Sequence, residues 1–586
     1  VTDLGTALTA LVSAAFVAEG LDGALGSVTR ADRPDLADFQ CNGALKGAKA
    51  LGKNPRDVAT AVAARLAGGI VQAVEVAGPG FINIKLTPEA LSARADAIAS
   101  DDTAGASRAT QPLAIVLDYG GPNIAKPMHV GHLRSTIIGE SLKRLLRLRG
   151  HTVTADIHMG DWGLPMGMLI TELQREQPDL PYFDADFAGA YPSESPVTLD
   201  DLERLYPQAA AACKADETRA DAARLATAEL QSGRAGYLAL WSHFVSATRV
   251  ALSREFGALG VSFDVWLGES DADPLIAPMV ADMKARGIAV EDEGAWIIRV
   301  SAEGEEPQLA PLILVKRDGG VLYATTDLAT IIDRKNRFAP DRILYVVDAR
   351  QADHFRQVFR ASDIAGLLPQ AALEHIGFGT MNGTDGKPFK TRAGGVMKLK
   401  DLIDQATEKA RERLREAGLG ETLPGDEFED VAHKVAISAI KFADLQNWRA
   451  ANYIFDLDRF MTFEGKTGPY LLYQAVRAKA ILRKAAEQGF TPGAIAVSEA
   501  AERDLVLVLD GFAHVLERAE KDRAPHIIAD HVYTLAQTFS KFYAACPILA
   551  AGHEVTRPSR LALTAVMLKQ LELGLDLLGM HAPERM

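Results

Sequence analysis

A chain of 586 residues exceeds what one hydrophobic core holds, so three or four domains are expected. A 48% hydrophobic and 24% charged composition is that of a globular protein, and no apolar run has membrane-spanning length. The net charge of −14 argues against indiscriminate polyanion binding, so any nucleic-acid partner must meet local basic patches.

Cys41, Cys213 and Cys546 lie far apart without metal-type spacing, so neither a disulfide framework nor a zinc site is expected, and all three should be reduced and buried. The N-terminus carries no basic leader and the C-terminus no lipidation signal, which predicts cytoplasmic residence.

In chain order, Leu4, Leu8, Leu11 and Ala15 form an apolar stripe at helical spacing. Strand-like runs at 71–76 and 81–86 flank the turn Gly78-Pro79-Gly80, so residues 1–108 read as a small α+β domain. The small, polar stretch 101–111 reads as a linker. A parallel βαβ unit follows: a strand at 113–117, a helix at 133–149 stopped by Gly150, and a strand alternating through Val153, Ala155 and Ile157. Residues 172–300 read as a mostly helical insertion, after which strand character returns at 343–347 and 376–378. From 401 to 586 the stripes Ile528, Val532, Leu535, Phe539, Phe542 and Leu568, Leu571, Leu575, Leu578 predict an antiparallel helical bundle.

The strongest chemical signal is the run from Asp118 to His132, because it lies at the carboxyl end of the first parallel strand and leads into a helix. A helix N-terminus offers unpaired N–H groups, His129 and His132 can donate to phosphate oxygens, Lys126 adds a charge, and Gly131 lets a flat base approach the backbone. Two histidines at this spacing could equally be a metal pair or satisfied surface side chains.

The longer run from Pro122 to Thr136, with His129-Val130-Gly131-His132 inside it, resembles the class I aminoacyl-tRNA synthetases and, within them, the arginyl-tRNA synthetase family. Four further segments carry the same resemblance: His158-Met-Gly-Asp-Trp-Gly163, the basic loop Gly386 to Gly395 in the place of the KMSKS loop, the helical tail with Glu464 to Tyr470 and the closing residues to Met586, and the N-terminal segments Phe39 to Leu45 and Asn54-Pro-Arg56. The loop departs from the KMSKS consensus, and the family pattern moves part of its charge to Lys126.

The resemblance implies a doubly wound α/β fold, Rossmann-type and HUP-like, for a catalytic domain at 109–400 with a largely helical insertion. It also implies an N-terminal α+β domain (1–108) contacting the tRNA elbow and an all-helical anticodon-binding domain at 401–586. The implied activity is ATP-dependent formation of arginyl-AMP, then transfer to the 3′-terminal ribose of tRNA(Arg). Catalysis falls to His129, His132, Lys126 and Lys390. ATP, with Mg2+ as part of that substrate, would meet Pro122, Asn123, Gly131, His158, Gly160, Asp161, Lys387 and Arg392. A planar guanidinium wants carboxylates and fixed acceptors, and by resemblance Asp118, Asn123, Glu269, Tyr323, Asp327 and Gln351 form the L-arginine site. Asn42, Asn54, Tyr470, Arg477 and Met586 would meet tRNA, with a basic face near Arg477, Lys479 and Arg483. No structural metal is expected, and a monomer without membrane contact is.

Overall fold

The computed structural model describes residues 2–586 except 32, 303, 307 and 388–396. Its chain divides into two compact units, one made of 1–108, 410–442 and 461–586, the other of 109–409 and 443–460. No helix among the described residues is long and apolar enough to cross a membrane.

The second unit is built on a four-stranded sheet in the order Leu373–His375, Arg342–Val346, Ala114–Tyr119, Thr152–Asp156. All three pairings are parallel, as the continuous apolar runs predict for strands covered on both faces. Register sets Tyr345, Asp118 and Asp156 side by side across three strands at the carboxyl edge. The helix Val130–Leu148 returns the chain from the first strand to Thr152–Asp156. It buries fourteen of nineteen residues, including Arg134, Glu140 and Lys143, because it is packed on more than one side.

The insertion is helical through Leu199–Ala215, Glu217–Gln231, Ala235–Ala258 and Glu269–Ala285, as expected. Its end supplies two strands, Val290–Asp292 and Ala295–Ile298, of a three-stranded antiparallel sheet completed beyond it by Leu312–Val315, which the composition did not announce. Glu293 and Gly294 both take positive φ in the tight turn that closes its first hairpin.

In the first unit, an antiparallel sheet in the order Val28–Arg30, Phe39–Cys41, Phe81–Leu86, Val71–Ala77 is covered by helices including Leu4–Ala18 and Pro55–Ala63. The helices Gly468–Glu487, Ala500–Asp510, Phe512–Asp522, Pro525–Ala545 and Arg557–Leu577 make the bundle that the apolar stripes predict. Cys41 and Cys546 are buried and Cys213 is only partly so. The stretch 101–111 is no loose tether over its first half: Asp101 accepts from Thr103 N–H and Gly105 N–H, and Gln570 donates to Ala104 O.

Candidate active site

The chain leaves Ala114–Tyr119 through Gly120 and Gly121, both at positive φ, and doubles back so that Ile124 N–H donates to Gly160 O (3.1 Å) and Gly160 N–H to Pro122 O (3.2 Å). A Cβ on Gly160 would stand 2.3 Å from Asn123 Oδ1, so glycine leaves the Asn123 amide its place between these two segments. Ala125 is held in the left-handed region, φ 63°, with its N–H on Thr248 Oγ1, and Met128 N–H donates to Glu255. The insertion helix Ala235–Ala258 thus braces the turn, and Lys126 Nζ lies 4.7 Å from the ring centroid of Tyr206, another insertion residue.

His129 is the N-cap of the helix Val130–Leu148. Its Nδ1 accepts from Gly131 N–H (3.0 Å), while His132 Nδ1 accepts from His129 N–H (3.2 Å), and the two rings stack 3.9 Å apart. Each histidine does for the other end of the turn what a Ser/Glu pair does in a capping box. Because both Nδ1 atoms accept, the single proton of each neutral ring sits on Nε2. Burial, with His129 and Lys126 adding repulsion, pushes the His132 imidazole down to about 4, and burial followed by Lys126 lowers His129. The result is two neutral rings with Nε2–H donors at a helix N-terminus. Within the protein Gly131 has a reason of its own: a Cβ there would meet His129 Cε1 at 2.7 Å, so glycine makes room for the histidine ring.

Residues 397–399, which follow the basic loop in sequence, meet this turn. Val130 N–H donates to Met397 O and Leu399 N–H to Met128 O, and Lys398 Nζ reaches Glu203 at 2.6 Å. Lys387 is exposed, with its N–H on Asp385 Oδ1. Lys390 and Arg392 lie outside the described residues.

Beyond Gly160 the carboxyl edge of the sheet gathers acids. His158, at φ 40°, stands 3.8 Å from Asp156 and 3.5 Å from Thr330 Oγ1. Asp161 is tied to the helix Glu269–Ala285: its oxygens accept from Ser270 N–H (3.0 Å) and Ser270 Oγ (2.6 Å), which anchors that helix. Glu269 begins that helix, and burial, reinforced by Asp161 and Asp327, pushes its carboxyl up. Asp327 lies one turn beyond Tyr323 on the helix Tyr323–Phe338, and its Oδ2 meets His354 Nε2 at 2.6 Å. Tyr323 is 66% exposed, with its ring 4.9 Å from that of His354. Gln351 precedes His354 by one turn as N-cap of Ala352–Ala365.

Asp118 is already engaged inside the protein. Its Oδ2 accepts from Arg334 (2.6 Å), and the same fully buried guanidinium reaches Asp156 (2.7 Å), so an internal arginine occupies the carboxylate assigned to a substrate arginine. Sequence reading missed Arg334, although its position seven residues after Asp327 puts both on one helix face. It also missed His354, for which no local spacing signal exists.

In the first unit, Asn42 is exposed before the helix Gly43–Leu51, and Asn54 caps Pro55–Ala63 by accepting from Arg56 N–H. Tyr470 meets Tyr533 edge-on at 5.9 Å, and the Arg477 guanidinium lies 4.2 Å from the Tyr543 ring, so two neighbouring helices present an aromatic and basic face. Lys479 drops out of that face, because Glu572 (2.8 Å) and Glu584 (2.6 Å) pair with it. Met586 is half-buried and Arg483 exposed.

Three family descriptions match the chain: "tRNA synthetases class I (R), catalytic domain" at 95–457, "DALR anticodon binding domain" at 471–586, and "Arginyl tRNA synthetase N terminal domain" at 3–86. An arginine–tRNA ligase of Maricaulis maris is 56% identical over 581 residues, 99% of each chain, and one of Hyphomonas neptunium is 54% identical over the full length of both. Crystal structures of arginyl-tRNA synthetase from Plasmodium falciparum and of the Thermus thermophilus protein superpose over the whole chain with TM-scores of 0.81 and 0.80 at 24% identity, which marks a shared fold.

Proposed function

The chain belongs to the class I arginyl-tRNA synthetases, and on that basis we propose how its own residues share the work of attaching L-arginine to tRNA(Arg). The enzyme forms arginyl-AMP from arginine and ATP, releasing pyrophosphate, and then transfers the arginyl group to the terminal ribose of tRNA. The arginine carboxylate attacks the α-phosphorus, and in the second step a ribose hydroxyl attacks the mixed anhydride. Protein side chains form no bond in either step, so positioning and charge stabilisation supply the rate.

His129 and His132 donate from Nε2 to phosphate oxygens, beside the helix N-terminus. The observation that carries this assignment is the reciprocal capping, which consumes both Nδ1 atoms and leaves both Nε2–H groups as donors. Lys126, Lys387, Lys390 and Arg392 complete the charge around pyrophosphate, with Mg2+ carried in by ATP. Pro122, Asn123, Gly131, His158 and Gly160 form the floor of the nucleotide site, and Asn123 also meets the α-amino or carboxylate end of arginine. Glu269 and Asp327 take the guanidinium, Tyr323 walls it and Gln351 assists. Asp118 and Asp161 hold the pocket's framework through Arg334 and Ser270. Residues 1–108 meet the tRNA elbow through Asn42 and Asn54, and 401–586 meet the anticodon through Tyr470, Arg477 and Met586. The working form is a cytoplasmic monomer.

Replacing His132 by alanine tests the phosphate assignment. Arginine-dependent ATP–pyrophosphate exchange, run with and without tRNA, should fall about a hundred- to a thousandfold while the KM for arginine moves little. Exchange at the parent rate overturns it.

A further inference from the structure

The helices Tyr323–Phe338 and Ala352–Ala365 meet at the arginine pocket through one polar contact that the substrate assignment leaves unused. His354 Nε2 stands 2.6 Å from Asp327 Oδ2, and the His354 side chain is 15% exposed against 29% for that of Asp327. An ionised carboxylate only accepts, so the imidazole proton in this contact is on Nε2. The same ring lies 4.9 Å from Tyr323 and 5.3 Å from Phe355, which holds its plane.

A partly exposed aspartate has a broad χ2 well and can turn its oxygens freely. A guanidinium fork is planar and demands a carboxylate at one rotation. We propose that His354 is a positioning residue for arginine: by donating to Oδ2 it fixes the rotation of Asp327 and keeps Oδ1 turned to the substrate guanidinium, while its ring backs Tyr323. This rests on the assignment of Asp327 to that guanidinium. His354 touches no reacting atom, so its effect belongs in arginine binding and not in the chemical steps.

The experiment measures KM for arginine, KM for ATP and kcat in tRNA aminoacylation. His354→Phe keeps the ring against Tyr323 and loses the donor; it should raise the arginine KM about tenfold or more, with kcat and the ATP KM close to the parent. His354→Gln puts an amide N–H near the place of Nε2 and should recover most of that loss. His354→Asn, whose amide is too short to reach Oδ2, repeats the test with a polar side chain and should resemble the Phe variant. Parent-like arginine KM in the Phe and Asn variants overturns the proposal, as does a Gln variant no better than Phe. Asp327→Asn separates the two levels: an unchanged arginine KM there overturns the assignment of Asp327 itself, whereas a raised one beside parent-like His354 variants overturns only the role of His354.

Discussion

Two histidines in this chain are kept neutral by burial for different ends. His132 spends its Nδ1 on the backbone at a helix start, where a positive ring would be opposed by the helix dipole as well as by Lys126. His531 lies inside the bundle, stacked on Phe512 at 5.1 Å, with Nε2 3.0 Å from Gln570 Oε1. Gln570 gives its amide hydrogens to Ala104 O and Leu509 O, so its oxygen must accept and His531 must donate. Burial pushes His531 down to about 4, although the Gln570 bond acts the other way. Between pH 6.5 and about 4 the unfolded chain therefore binds protons that the native chain refuses. Stability from this site is complete above pH 6.5 and drains as pH falls, by up to about 3 kcal/mol at the foot of the window. His531→Asn keeps a neutral donor and should flatten the dependence of the melting temperature between pH 6.5 and 5, above the usual carboxylate range. An unaltered slope would refute the argument. Residues of this kind mark the limit of sequence reading. The pairing of His129 and His132 at a helix start was legible from the turn before it, whereas their mutual capping depends on side-chain rotamers, and the duty of Gly131 toward His129 follows only from that.

At the scale of elements, strands and helices were read where their period is plain, and missed where the signal is short. The helix at 133–149 and its stop at Gly150, which takes φ 98°, needed only apolar spacing and a glycine. The hairpin through Glu293-Gly294 lacks the Asn-Gly or Asp-Gly that advertises such a turn, and its strands of three and four residues are too short to show alternation. Close packing is equally hidden. A Cβ on Gly139 would lie 2.2 Å from Tyr119 Cγ, so this glycine lets the helix Val130–Leu148 settle on the first strand. Tyr119 in turn donates to Glu140, which pairs with Lys143 (2.6 Å) and Arg144 (2.8 Å). Gly139→Ala must push the helix off the strand and should cost about 1–3 kcal/mol, more than the usual small gain of alanine over glycine inside a helix. Chemical denaturation with tryptophan fluorescence measures it, and a stabilised variant would contradict the packing.

At the scale of the molecule, the sequence suggests three consecutive domains, while the chain packs as two units, with 443–460 joining the catalytic one. Partners hundreds of residues apart are the reason, and no local pattern records them. In the first unit Asp510 accepts from Leu4 N–H (3.1 Å) and from Arg94 Nε (2.6 Å), and Arg94 and Asp510 side chains are each 4% exposed. Arg503 grips Asp38 and Leu86 O in the same manner. The N-terminal sheet domain and the helical bundle are thereby locked together, and burial raises the Asp510 carboxyl against the pull of Arg94. Taking one partner from a buried pair leaves the other charge without compensation, so Asp510→Ala should destabilise this unit by about 3–5 kcal/mol. An apolar pair of similar volume carries no such charge. The double variant Arg94→Met with Asp510→Leu should therefore regain much of the loss, short of what the Leu4 N–H, left unpaired, withholds. Limited proteolysis within 101–108 and the melting temperature read the outcome. Additive losses in the double variant would mean that the pair acts as two separate packing residues, and that the lock between sheet domain and bundle lies elsewhere.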